Sequence, residues 1–449
     1  GATDVKSIQY SGSGSTFAVG QSPNPSAPWP RFNAKSFTRT INYETVSLRD
    51  EILRTQAEQP PRGGGGQPVV GEQRQLQMVS GTHAWNQVGQ NLNPTLVAVT
   101  DRLHQLWISP HGVIKAAMAH NATVASKTEG GKKLTTIAFT VPGKFKVNAT
   151  VNDQNLVEKV ESWVANPVVG DMPVVTTYSD YKDFGGVKFP TKITQKAGGF
   201  PSLDLTVSEV KPNAPADIQP PDNVRQAAVR VQTQQVVDGV WYITGGSHHS
   251  VLVEMKDYVV VVEGPQNDER STAVIAEVKK TVPNKPIKYV VNSHHHFDHA
   301  GGLGPFVAEG ITIITHAINK PFFEQAFAAP RTVNPDKLAQ SGKKAAFETL
   351  TDKLVLRDDT RTLEIHHIGK NPHHDGLILA YLPKEKLLIE ADAYTPAPPD
   401  APPPAQANPA SVNLHDNIGG LQLAVDRILP LHGRVVPLAE LLKAIGRAS

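Results

Sequence analysis

The chain has no cysteine. That excludes disulfides, thiolate metal sites and cysteine nucleophiles together, so any transition metal must be held by nitrogen and oxygen donors. A long apolar run is also missing: "DYVVVVEG", residues 257–264, is far shorter than the roughly 18 residues a membrane span needs. Charge of one sign is lacking too, because 44 basic and 42 acidic side chains are interspersed and leave a formal charge of +2. Without a basic tract or arginines interleaved with aromatics, nucleic acid is not an expected partner. The opening residues "GATDVKSIQY" have neither the charged start nor the apolar core of a secretory signal. This start and the missing cysteines lead us to expect a periplasmic or secreted bacterial protein whose signal has been removed, with the cytoplasm as the alternative.

What is present divides in two. At 449 residues the chain exceeds one ordinary core, and about two to three domains are expected. Residues 1 to about 210 alternate apolar and polar positions in runs such as "KLTTIAFTVPG" and "LDLTVSEV", with turn signals such as "FGGVKFP" between them, a β-rich pattern interrupted by one helical stretch around "PTLVAVTDRLHQLW". "PRGGGGQP", residues 61–68, reads as a loop and not a phosphate cradle, since no lysine or helix start follows it. The prolines of "KPNAPADIQPPDNV", residues 211–224, mark a linker. We therefore expect a β-rich accessory domain over 1–217 and a second domain over 218–449, where strands alternate with helices in an α/β manner. Thirteen of the 17 histidines follow the linker, so imidazole chemistry is expected there. "TPAPPDAPPPAQANPA", residues 395–410, is a proline-rich excursion, and "LAELLKAIGRAS" ends the chain as a short amphipathic helix.

"NSHHHFDHAGG", residues 292–302, follows the apolar run "IKYVV". His294 and His296 are two apart at what should be a strand end, so both leave on one face. His295 points away. Asp298 and His299 sit at the turn into a helix and can be aimed into the same volume, which makes HxHxDH four nitrogen and oxygen donors within six residues. Further donors stand where local structure suits them: His373 before a strand, Asp392 at the end of the next strand after the turn "PKEK", and His432 after a helix and before a glycine.

In combination these motifs resemble the metallo-β-lactamase superfamily over roughly residues 225–449. They are HxHxDH after a strand, a histidine eight residues before Tyr381, an aspartate eleven residues after it, and a late histidine followed by glycine. The resemblance implies an α+β chain with a C-terminal αββα sandwich and two zinc ions. His294, His296 and His373 would hold one zinc, Asp298, His299 and His432 the other, and Asp392 would bridge them. The third-ligand loop reads "PHHDG", which leaves His374 as the alternative to His373, and the early strand ends in "VEGP", which gives Glu263 a supporting role. "YSDYKDFGGVKFPTKI", residues 178–193, weakly resembles a strand pair of bacterial lipoprotein-sorting proteins.

Two zinc ions would acidify a water to a pKa of about 7 and make a nucleophile without serine or cysteine. The expected activity is hydrolysis of a small lactam, lactone, ester or thioester through that metal-bound hydroxide, with Asp298 as the catalytic carboxylate that orients the nucleophile and carries the proton. His248 and His249, in the turn of the first hairpin of the domain, together with His374 and Tyr394, are candidates to line the substrate pocket. His366, His367 and His415 are read as ordinary strand or cap residues. An iron-dependent oxidoreductase on the same fold and a carrier for apolar cargo are the alternatives, and the oligomeric state is left open.

Overall fold

The computed structural model describes residues 4–64, 68–402 and 404–447. Residues 65–67 of the glycine loop, Pro403 of the proline-rich excursion and the last two residues of the C-terminal segment lie outside them.

Among the described residues, the N-terminal half is one antiparallel sheet of thirteen strands. Its first strand, Ser7–Phe17, lies in the middle and pairs both with Arg31–Asn42 and with the last strand, Phe200–Pro212. The edges are Asn91–Pro94 and Thr123–Glu129, and the helices Val99–Trp107 and Pro110–Ala119 carry the chain from one edge to the other. Period-two patterning drives the sheet: in Phe145–Val151, Phe145, Val147, Ala149 and Val151 all face inward. Their partners include Leu103, Leu106, Val113 and Ala116 on the helices. The second helix was not expected from sequence. Its start carries Ser109, whose Oγ accepts from the Gly112 N–H at 3.2 Å, and Pro110 at the first helical position.

Beyond residue 231 two sheets pack face to face. One runs from Gln232–Val237 through Val259–Val262 and Ile287–Val291 to Phe347–Leu350, and the other from Lys353–Arg357 through Leu387–Glu390 and Arg427–Pro430 to Val436–Pro437. The strand "VVVV" at 259–262 explains the layering: Val260 and Val262 enter the core between the sheets, whereas Val259 and Val261 enter the outer core under the helices Asp268–Thr281 and Leu303–Glu309. On the other side Leu387 and Ile389 point inward, and Leu388 packs beneath Pro409–Gly420 and Leu438–Ala444. The result is an αββα sandwich. No helix among the described residues is long and apolar enough to cross a membrane.

Four local expectations need correction. Gln232–Val237 is a strand that its polar "QTQQ" concealed, so residues 245–249 form the second turn of that sheet and not the first. His432 follows the short strand Arg427–Pro430 and not a helix. The proline-rich excursion ends in regular structure, because Pro409 fits the first turn of the helix Pro409–Gly420. His415 therefore lies inside that helix and not at its start.

Candidate metal centre

Every ligand candidate stands past a strand end, at one edge of the sandwich. After Ile287–Val291 the chain runs extended through 292–296 before a short helix, Phe297–Ala300. Alternation along that extended stretch puts the His294 and His296 rings 4.4 Å apart, while His295 turns toward His374. Leu387–Glu390 and Arg427–Pro430 are parallel neighbours, so Asp392 and His432 emerge side by side. Val259–Val262 and Ile287–Val291 are parallel too, which sets Glu263 against residues 292–293. Asp392 and Glu263 both have positive φ, at 60° and 78°, a conformation that short polar side chains tolerate better than long ones.

Two donor clusters result: His294, His296, His373 and Asp392, and His248, Asp298, His299 and His432. Asp392 joins them. Its Oδ2 lies 3.4 Å from His294 Nε2, 3.1 Å from His373 Nε2 and 3.0 Å from His299 Nε2, and its Oδ1 lies 3.0 Å from His432 Nε2. These separations fall within ion-pair reach, yet both oxygens are buried without a hydrogen-bond partner. His296 Nδ1 is a third buried atom without a partner. His294 Nε2 and His373 Nε2 are 3.1 Å apart, as are His299 Nε2 and His432 Nε2. Nitrogens about 2.0–2.1 Å from one ion at tetrahedral angles would stand about 3.3 Å apart. Unpartnered buried acceptors at these spacings fit a metal, since a native core seldom leaves such atoms unsatisfied.

The outward nitrogens of His294, His299 and His432 are anchored, whereas His373 Nδ1 is buried without a partner. His294 Nδ1 donates to Ser293 Oγ at 2.9 Å, and that hydroxyl donates to Glu263. His299 Nδ1 donates to Glu263 Oε2 at 3.0 Å, and His432 Nδ1 to the Ser247 carbonyl at 2.9 Å. Each bond leaves Nε2 as the lone pair facing the cluster. Burial and neighbouring imidazoles hold His294 and His296 well below the ordinary histidine value, in the neutral form that metals need. Burial would also lower His299 and His432, but the Asp392 carboxylate outweighs it and raises both. Burial would raise Asp392 and Asp298, but the adjoining imidazoles hold both carboxyls well below their usual range.

The pocket candidates separate. His248 joins the cluster, with Nε2 3.1 Å from Asp298 Oδ2, and burial lowers its pKa to about 4. His249 sits behind the cluster and bonds the Gly433 carbonyl at 2.9 Å. His374 is closed to substrate: it is fully buried, its Nδ1 accepts from Gly376 N–H at 2.9 Å and its Nε2 meets His295 Nδ1 at 2.6 Å. His373, not His374, approaches the other ligands. Tyr394 is buried and borders a separate cavity of about 540 Å3 beneath the proline-rich segment. Two residues that sequence reasoning missed touch the site from the N-terminal half: Gln21 Nε2 donates to Asp298 Oδ1 at 2.8 Å, and the Ser22 carbonyl accepts from His296 Nε2 at 2.8 Å. Nothing in "VGQSPNPS" signals this.

Comparison with known proteins agrees with this geometry. Residues 243–439 match the metallo-beta-lactamase superfamily. Among curated proteins, 147 residues are 29% identical to 2,4-dinitroanisole O-demethylase subunit beta of Nocardioides sp. (strain JS1661), covering 32% of this chain and 44% of that one. The alpha subunit is 22% identical over 167 residues, covering 37% and 47%. The chain thus spans less than half the length of these curated relatives. Similar solved structures include a metallo-beta-lactamase from Pontibacter korlensis (16% identity, 48% of this chain and 98% of that one, TM-score 0.38). Another is from Hirschia baltica (19% identity, 48% and 95%, TM-score 0.36). The family match thus falls on the C-terminal region of this chain, the αββα sandwich with its His/Asp clusters at one edge, and supports a metal-dependent enzyme.

Proposed function

We propose that the chain is a dinuclear zinc hydrolase of a small carbonyl substrate. The observation that carries this reading is the Asp392 carboxylate, buried without hydrogen bonds between two sets of imidazoles. His294, His296 and His373 would hold one ion, Asp298, His299 and His432 the other, with Asp392 shared and His248 beside the second set. Imidazole and carboxylate donors without thiolate suit zinc. Ions bound there would lower the pKa of a water from about 15.7 to about 7 and polarise a carbonyl.

The chain's own residues supply the rest. Asp298 has a side chain 29% exposed, whereas those of Asp392 and Glu263 are fully buried, so among these carboxylates Asp298 is the one that can exchange a proton with substrate. Gln21 and His248 each bond one of its oxygens, which orients it and favours its ionised form. A cleft of about 840 Å3 reaches the cluster at His248 and is lined by Asn86, Leu96, Asn223 and Gln266 among others, room for a small molecule.

The resemblance to O-demethylase subunits supports a second substrate class, an electron-poor aryl ether, on the same site. The test is a panel of β-lactam, lactone, thioester, carboxyl ester and nitroaryl methyl ether, run with zinc-loaded and iron-loaded chain beside Asp298→Asn. Turnover of one class that the variant loses supports the hydrolase reading and chooses the substrate. No turnover with zinc, or an equally active variant, removes it, and activity confined to the iron form favours redox chemistry.

A further inference from the structure

We propose that the loop joining the first two strands of the N-terminal sheet, residues 18–30, is a wall of the metal centre, with Gln21 and Ser22 as positioning residues. This rests on the reading that the His/Asp clusters hold metal. The N-terminal half is then part of the catalytic site and not an appended module.

The loop is fastened to both ligand-bearing segments. On the HxHxDH side, the Gly20 carbonyl accepts from Phe297 N–H at 3.2 Å and Trp29 meets Phe297 edge-on, ring centres 5.7 Å apart. On the His373 side, the Pro23 carbonyl accepts from Asp375 N–H at 2.7 Å and Asn24 Nδ2 donates to Asp375 Oδ2 at 2.8 Å. From the neighbouring loop Arg62 pairs with Asp375 at 2.5 Å, and Gly63 N–H donates to the Pro372 carbonyl at 2.9 Å. The two segments that carry His294, His296 and His373, which also bond each other through Ile378 N–H and the Ser293 carbonyl at 3.0 Å, are therefore both tied to a third segment.

Within that frame Ser22 fixes the tautomer of His296 and closes a chain that fixes two more rings. Its carbonyl takes the His296 Nε2–H, which leaves Nδ1, otherwise without a partner, as the lone pair for the cluster. Its hydroxyl ends a one-way chain. Gly376 N–H donates to His374 Nδ1, so His374 Nε2 donates to His295 Nδ1 at 2.6 Å, and His295 Nε2 is left to donate to Ser22 Oγ at 3.2 Å. The chain backs the ligand loop as outer partners do in metal sites.

Gln21 acts on the other half. Its amide occupies Asp298 Oδ1 from a position 277 residues earlier in the chain, and its own Oε1 is buried without a partner. Gly20 makes the approach possible: its φ is +77°, and a Cβ there would sit 2.3 Å from the Phe297 ring. With this wall in place the His294, His296 and His373 side chains are fully buried, and the cluster opens only where His248, Asp298 and His432 are partly exposed.

The test uses the full chain and cobalt(II). Wild-type protein, Gln21→Met and Gln21→Glu are titrated with cobalt, followed by the visible d–d absorption and by competition with a chelator of known affinity, and their thermal transitions are recorded as a check on folding. The proposal expects wild type to bind cobalt. Gln21→Met should fold normally yet hold one equivalent about 10- to 100-fold more weakly, with a changed spectrum, and Gln21→Glu, which sets a carboxylate against Asp298, should be changed further. Two variants with wild-type affinity and spectrum overturn the wall and leave the metal reading standing. Failure of wild type to bind cobalt or zinc overturns both.

Discussion

Glu263 holds His299 through a 3.0 Å hydrogen bond from Nδ1 to Oε2, although Glu263 follows one strand and His299 sits in the short helix after another, and both are fully buried. The same carboxylate accepts from Ser293 Oγ, and Asn292 Nδ2 lies 3.3 Å from its other oxygen. One side chain thereby sets the ring planes of His294, through Ser293, and of His299. Glu263→Gln should keep the shape but lose the anion, and metal retention measured by chelator competition should weaken about 10- to 100-fold.

Asp392 is the shared group, and its removal should differ in kind. Asp392→Asn loses the charge that both donor sets face, so the metal kept after dialysis, read by elemental analysis, should fall for both positions together. Loss of one position with full occupancy of the other contradicts its bridging role.

Metal that binds only the folded chain adds stability by mass action. At a free zinc concentration 100-fold above the dissociation constant, each site contributes about 2.7 kcal/mol. Chelation should therefore lower the thermal midpoint of the C-terminal region, and restored zinc should recover it. A midpoint unmoved by either treatment argues against metal in these clusters.

Gly20→Ala tests the wall by shape. Its methyl group meets the Phe297 ring at a backbone angle that L side chains rarely adopt, and such strain costs about 1–3 kcal/mol. Reduced stability together with weaker metal retention is expected, whereas Gly71→Ala, at φ +80° with nothing nearby, should leave metal retention unchanged.

His104 offers a pH test remote from the His/Asp clusters. It is buried in the N-terminal core, with Nε2 2.8 Å from Ser162 Oγ, and burial lowers its pKa to about 3. The unfolded chain, with a pKa of about 6.5, takes up a proton first as pH falls. This stability is therefore complete above pH 6.5 and is lost as pH falls toward 3, amounting to about 2 kcal/mol at pH 5. Denaturant unfolding followed by tryptophan fluorescence at pH 7 and pH 5 should show the loss in wild type and a smaller one in His104→Gln.

Much of the C-terminal half was legible because its signals are local. "VVVV", β-branched throughout, reads as a strand covered on both faces, and HxH in extended chain places two rings on one side whatever surrounds them. The strand that carries "QTQQ" was hidden because an edge strand needs no apolar alternation. His432 was assigned to a helix end because four residues, "RILP", are too few for any period to show.

The sequence by itself determined the donor inventory: no thiolate, HxHxDH, and histidines and an aspartate at strand ends, since residue type and spacing along an extended chain are covalent facts. Only the tertiary structure decided how the site is closed. The choice of Gln21 for Asp298 and Ser22 for His296 joins atoms 277 and 274 positions apart. A polar loop of glycine, serine and proline carries no periodicity that names its partner, and the contact exists because the N-terminal sheet sets that loop against the sandwich edge, where buried ring nitrogens and a carboxylate need hydrogen bonds.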